Sequence, residues 1–203
     1  HNNNRQLITF SAGVTDFPTM RLAVTFLPAL IVAAIGTAAP AAATGQRALH
    51  DLEAKLERRY PTVRSLLPEH FDSLLRERDR TVVLDVRDAG EYDVSHIPGA
   101  ERVDPSISVA EFESRYGARM TGKIVVLYCS VGVRSSELAR RIDASAKKAH
   151  ALGVFNLRGG VFAWHNTGRR LEDAGRTTSK VHGYDSNWSR YLDFDNYATT
   201  RDE

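Results

Sequence analysis

The stretch Tyr128-Cys129-Ser130-Val131-Gly132-Val133-Arg134-Ser135-Ser136 holds the only cysteine among 203 residues. One thiol excludes a disulfide within the chain and a zinc site built from several thiolates. Three readings remain: an inert buried thiol, one half of an intermolecular pair, or a reactive nucleophile. Its position bears on the choice. Cys129 ends the apolar run KIVVLYC, residues 123–129, and a helical pattern follows at once. In open parallel sheets, ligands bind beyond the carboxyl ends of the strands. A loop of Ser130, Val131, Gly132, Val133, Arg134 and Ser135 can curl so that successive N–H groups point inward, which makes an anion-binding nest. Gly132 allows the backbone angles that such a curl needs, and a helix starting near Ser135 adds the positive end of its dipole. These features favour thiolate over thiol, and the same donors hold an anion beside the sulfur. Cys129 is therefore the candidate nucleophile and residues 130–135 the candidate substrate-binding loop. Arg134 either steers an anionic substrate or points outward as a helix-start residue.

The elements that must position this loop are legible from periodicity. TVVLDVR, residues 81–87, and KIVVLYC are too continuously apolar for half-exposed strands, so both are expected to be buried parallel strands. Between them lie a short helix over 89–93, the turn His96-Ile97-Pro98-Gly99-Ala100 and a helix near 109–116. After the loop, Leu138, Ile142, Ala146 and Ala149 mark the buried face of a helix for which Gly153 is the expected stop. VFNL, residues 154–157, is a last short strand, and Gly159-Gly160 turns into a helix carrying Trp164. Before the first strand, Leu49, Leu52 and Leu56 give a helix over 48–60 that Pro61 ends. Pro68 opens another, with Phe71, Leu74 and Leu75 on one face. Strand and helix in alternation predict an α/β fold with a parallel sheet covered on both faces.

Other polar residues are expected to support rather than react. Asp85 and Arg87 anchor the neighbourhood of the loop by pairing with nearby polar groups, with Glu91 as the expected partner of Arg87. His96 fixes its turn, and Trp164 fills the core. No histidine cluster suggests a metal, and no cofactor is expected.

Three segments together resemble the rhodanese (sulfurtransferase) family: LDVRDAGEYDVSHIPGA at 84–100, CSVGVR at 129–134 and NLRGGVFAWHNTGRRL at 156–171. The resemblance spans roughly residues 62–175. It implies a five-stranded parallel sheet with helices on both faces, and a cysteine that carries sulfane sulfur as a persulfide. A small-molecule sulfur donor charges that cysteine; a thiophilic acceptor such as cyanide or another thiol discharges it. Six residues from Cys129 to Arg134 match the sulfur-handling members, whereas related cell-cycle phosphatases have one more. Thiosulfate-preferring loops of the family often carry basic residues directly after the cysteine, where this chain has Ser130 and Val131, and its loop does not follow the mercaptopyruvate type either. Binding modules of the same fold, which have often lost the cysteine, and single-thiol redox proteins are the alternative functions.

The remaining segments bound the domain. Residues 1–19 are expected to be a non-native or disordered extension upstream of an initiator at Met20. Arg21 followed by the uncharged run from Leu22 to Ala43 reads as a signal peptide, residues 20–43, cleaved after Ala43. An uncleaved membrane anchor or a buried helix are the alternatives. The expectation is an exported, periplasmic or extracellular protein touching the membrane only during export. Residues 44–61 form an amino-terminal helix, 62–175 the domain and 176–203 a tail. Trp188, Tyr191, Leu192 and Phe194 suggest that the tail folds back on the domain, with a partner-binding peptide as the alternative. A formal net charge of +2 gives no reason to expect a nucleic-acid partner.

Overall fold

The two β-branched runs form the centre of a sheet in the computed structural model, which describes residues 41–193 together with 197 and 198. In chain order the elements are α1 (Ala41–Arg59), β1 (Arg64–Leu66), α2 (Pro68–Leu74), β2 (Thr81–Asp85), α3 (Ala89–Val94), β3 (Glu101–Arg102), α4 (Val109–Met120) and β4 (Ile124–Tyr128). There follow α5 (Val133–Lys148), β5 (Gly153–Leu157), α6 (Gly160–Asn166), β6 (Leu171–Asp173), β7 (Arg176–Thr178), β8 (Val181–His182) and β9 (Tyr197–Ala198). Five strands make one parallel sheet in the order β1-β5-β4-β2-β3. The expected α/β class and five-stranded parallel sheet are both present.

Period-two alternation sends the strand side chains to two cores. Val82 and Leu84 of β2, Val125 and Leu127 of β4, and Cys129 just beyond β4 face α4 and α5, where Phe112, Tyr116, Leu138 and Ile142 are fully buried. Val83, Val126 and Tyr128 face the opposite way, against Leu49 of α1, Phe71 of α2, and Phe162 and Trp164 of α6. Each large apolar side chain removed from water in this way stabilises the fold by about 1.5–3 kcal/mol. Trp164 fills the core as expected, 2% exposed, with its ring 5.4 Å from that of Phe71. Among the described residues no helix is long and apolar enough to cross a membrane. The expected extension at 1–19 and the segment 20–40 lie outside the described residues, and Ala41–Ala43 belong to α1.

Three expectations are corrected. Gly153 does not stop α5 but opens β5; the helix ends at Lys148, and His150 takes the left-handed position with φ 56°. His150 N–H donates to Lys147 O and Ala151 N–H to Ala146 O, the paired bonds that close a helix carboxyl end. The second correction concerns the start of α5, which begins at Val133 rather than near Ser135, because Gly132 takes a left-handed φ of 99°. Third, the boundary between 175 and 176 falls in the turn of the β6–β7 hairpin, where Ala174 and Gly175 both have positive φ, so the tail begins within the domain. The tail does fold back: Tyr191 and Leu192 are buried, Trp188 packs on the α6 side of the core, and Asn166 Nδ2 donates to Tyr191 O at 2.8 Å. Phe194 lies outside the described residues.

Candidate active site

Cys129 stands one residue past β4, and two N–H groups of α6 hold the loop's first peptides in place. Val161 N–H at the start of α6 donates to Cys129 O at 2.9 Å, and Phe162 N–H donates to Ser130 O at 3.0 Å. This close approach requires glycine. Gly160 has φ 60°, and a Cβ there would collide with the Cys129 carbonyl. The Gly159-Gly160 pair is thus the clasp that closes α6 onto the loop.

The loop bends back at Gly132, so its N–H donates to Cys129 Sγ at 3.2 Å. The sulfur therefore lies at the amino end of a 16-residue helix, where the dipole favours negative charge. Ser135 Oγ is 3.5 Å from the sulfur and 2.6 Å from Asn156 Oδ1. Its one proton serves two acceptors. When it goes to Asn156, the serine oxygen can accept from the thiol; when the sulfur is anionic, the hydroxyl can turn and donate to it. A Cβ on Gly132 would lie 3.1 Å from Asn156 Nδ2 and 3.5 Å from Leu56 Cδ1, so α1 and β5 press on the loop from outside. The side chains of Cys129, Ser130 and Val131 are buried; the thiol is 1% exposed.

Arg134 does not stand free as a helix-start residue; its guanidinium is tied to α3 and its side chain is 24% exposed. Its Nη1 donates to Glu91 Oε2 at 2.7 Å and to Asp88 Oδ2 at 3.1 Å; its Nη2 donates to Glu91 Oε1 at 2.8 Å and to Ser130 Oγ at 3.0 Å. Ser130 Oγ in turn donates to Glu91 Oε1 at 2.6 Å. Burial alone raises the Glu91 pKa, but the Arg134 guanidinium and the Ser130 hydroxyl outweigh it and hold the carboxyl below its usual value. Burial lowers the Arg134 pKa, yet Glu91 and the nearby Cys129 sulfur hold it above normal. Arg134 is therefore a clamp that ties the loop to α3. Glu91 is at the third position of α3 in a capping box with Asp88, whose N–H donates to Glu91 Oε2 at 3.1 Å.

Glu91 was expected beside Arg87, and this is a correction: Arg87 is served by Asp85. Arg87 Nε and Nη2 reach the Asp85 carboxylate at 2.8 and 2.6 Å, both side chains are fully buried, and Nη2 also donates to Ser95 O at 2.6 Å. Desolvation disfavours the Arg87 charge, but Asp85 reverses the effect and holds it protonated. The pair fixes the end of β2 to the chain leaving α3. Tyr128 OH accepts from Ile97 N–H at 3.0 Å, which ties the end of β4 to the same turn. His96 stacks on Tyr92 at 3.9 Å and exchanges two backbone hydrogen bonds with Glu172, so it fixes the turn.

Reasoning from sequence brought together Cys129, Gly132 and Ser135 but missed Asn156, Gly160 and the Glu91–Arg134 pair. The Asp88-x-x-Glu91 spacing was the available sign of a buried helix start. Among the described residues no group of His, Cys, Asp and Glu side chains converges to hold a metal ion.

A family model for the rhodanese-like domain matches residues 67–167. A probable adenylyltransferase/sulfurtransferase of Mycobacterium tuberculosis is 34% identical over 101 residues, covering 49% of this chain and 24% of that protein. A tRNA uridine(34) hydroxylase of Staphylococcus epidermidis is 33% identical over 91 residues, 44% of this chain and 28% of that protein. The chain spans about a quarter of the length of these curated relatives. Among solved structures, a rhodanese-like domain protein from Staphylococcus aureus is 22% identical with a TM-score of 0.42, covering 57% of this chain and 97% of that one. A thiosulfate sulfurtransferase from Pseudomonas aeruginosa is 23% identical with a TM-score of 0.44, covering 75% of this chain and 26% of that one. Residues 67–167 of this chain, with the Cys129 loop among them, are a rhodanese-like domain.

Proposed function

We propose that this domain is a sulfurtransferase in which Cys129 takes sulfane sulfur from a donor such as thiosulfate and passes it to a thiophilic acceptor. The observation that carries this reading is the Gly132 N–H aimed at Cys129 Sγ from 3.2 Å at the amino end of α5. In the first step the thiolate attacks the outer sulfur of thiosulfate. An S–S bond forms at Cys129, the donor's S–S bond breaks, and sulfite leaves with the electron pair. In the second step cyanide or a thiolate attacks the outer sulfur of the persulfide, and the Cys129 thiolate leaves. Thiolate and persulfide are both anions, so the positive amino end of α5 favours each of them. The family match and the sulfurtransferase names among the similar proteins support the reading. Its test is turnover: the protein with thiosulfate and cyanide is expected to release thiocyanate, and Cys129→Ser to release none. Absence of thiocyanate with thiosulfate and with organic donors contradicts the reading.

One observation favours a second reading, a rhodanese-fold binding module: the thiol is 1% exposed and Arg134 is committed to Glu91. Sulfur transfer requires the loop to open to its donor. A thiol that resists iodoacetamide in the folded protein over hours favours the binding module; steady alkylation favours the enzyme.

We also propose export through residues 20–43, on the uncharged run from Leu22 to Ala43 after Arg21. Sequencing of exported protein is expected to begin near Thr44. Protein confined to the cytosol with residues 22–43 intact contradicts it.

A further inference from the structure

The carboxyl-terminal segment brings a residue from outside the matched residues 67–167 onto Arg134, whose guanidinium reaches Ser130 beside Cys129. Tyr184 lies two residues past β8, and β8 packs on α3, the helix that carries Glu91. Its ring stands over the Arg134 guanidinium, 5.3 Å from carbon to ring centre. Both terminal nitrogens of Arg134 are bound in plane to Glu91, Asp88 and Ser130, and Tyr184 stands over the face of the guanidinium. Tyr184 is also a backbone outlier: its φ is 67°, a left-handed value that a bulky residue adopts only at a cost. Its N–H donates to Nδ1 of the buried His182 at 2.9 Å, which holds that turn. Tyr184 is 39% exposed. The ring stands over Arg134 while the residue keeps part of its surface in solvent.

The charges around Arg134 point the same way. Arg134 carries one positive charge, and Glu91 and Asp88 carry one negative charge each, with Asp88 largely exposed. Arg134 is thus already compensated by two carboxylates and offers a small dianion such as thiosulfate little net attraction. A donor with an organic body meets an aromatic face, and stacking on such a face needs no charge.

Resting on the sulfur-transfer reading above, we propose that Tyr184 is a specificity-determining residue: held in a left-handed turn by His182, its ring walls the loop mouth over Arg134 and favours sulfur donors with an aromatic or apolar body. Benzenethiosulfonate is the matched probe. The Cys129 thiolate attacks its outer sulfur, the new S–S bond forms at Cys129, and benzenesulfinate leaves with the electron pair of the broken S–S bond. Thiosulfate reacts at the same atom without the ring.

The experiment measures the half-saturating concentration of both donors, with persulfide on Cys129 read by intact mass, for the native protein, Tyr184→Phe and Tyr184→Gly. Glycine removes the ring and relieves the backbone angle, so this variant is expected to fold. The proposal expects Tyr184→Gly to raise the value for benzenethiosulfonate by about two- to tenfold, the range that one aromatic stacking contact supplies. The value for thiosulfate should stay within about twofold, and Tyr184→Phe should behave as native. Equal shifts for both donors, or none for either, overturn the proposal while leaving sulfur transfer standing. Native protein that takes sulfur from neither donor overturns the sulfur-transfer reading itself, and the proposal with it.

Discussion

Replacing Glu91 with Gln keeps the shape of the side chain and removes the charge that holds Arg134 and Ser130. The magnitude follows from burial. Losing one partner of a fully buried ion pair costs about 3–5 kcal/mol, and an exposed pair contributes under about 1 kcal/mol. Here Glu91 is 3% exposed and Arg134 24%, so the pair lies between these limits and nearer the buried one. Asp88 stays within 3.1 Å of the guanidinium and compensates in part. We expect Glu91→Gln to destabilise the domain by about 2 kcal/mol, a fall in melting temperature of about 4–8 °C for a chain of this size. Urea unfolding gives the free energy. A double-mutant cycle with Arg134→Met isolates the pair and should show a coupling above about 1 kcal/mol. The pH dependence has a definite sign. The folded-state pKa of Glu91 lies below the usual value of 4.5, so its contribution is complete above that value and is lost as pH falls through the folded pKa. The native protein should therefore lose stability relative to Glu91→Gln only below about pH 4.5. A cycle that is additive within about 0.3 kcal/mol, or a gap between the two proteins that does not narrow in acid, refutes the clamp.

Two further substitutions probe the loop. Gly160→Ala adds a Cβ against the Cys129 carbonyl at a left-handed backbone position; it should cost at least about 2 kcal/mol, read by thermal unfolding, and a native-like melt would show that α6 does not clasp the loop. Ser135→Ala removes the hydroxyl 3.5 Å from the sulfur and should slow persulfide formation by about tenfold, the value of one hydrogen bond to an anion. An unchanged rate would show that Gly132 N–H alone serves the sulfur.

The centre of the sheet was legible because fully buried parallel strands show as unbroken β-branched runs, and the helices because their apolar residues recur every three or four positions. Arg64–Leu66 and Glu101–Arg102 gave no such sign. They are edge strands of three and two residues, made by pairing with Phe155–Leu157 and with Leu84–Asp85 rather than by their own pattern. Cys129 and Gly132 could be read because a lone thiol and a glycine between strand and helix are informative in themselves. Arg134 was harder: its sequence position allows either an anion contact or a solvent-facing start, and the choice was made by Glu91, 43 residues away. His150 ended α5 in place of Gly153 because the two closing hydrogen bonds formed three residues earlier than glycine placement suggested. Tyr184 carried no sign at all, since its role depends on β8 lying against α3.

The central claim is that sulfur resides on Cys129, and intact-mass measurement before and after exposure to thiosulfate tests it most directly. The account predicts a gain equal to one sulfur atom, located on the peptide containing Cys129 and removed by cyanide as thiocyanate. Cys129→Ser, which differs by one atom in a closed site, should fold as native and gain nothing, because oxygen there cannot form a persulfide. A serine variant that still gains sulfur, or a native protein whose mass never changes with thiosulfate or benzenethiosulfonate, would contradict the account.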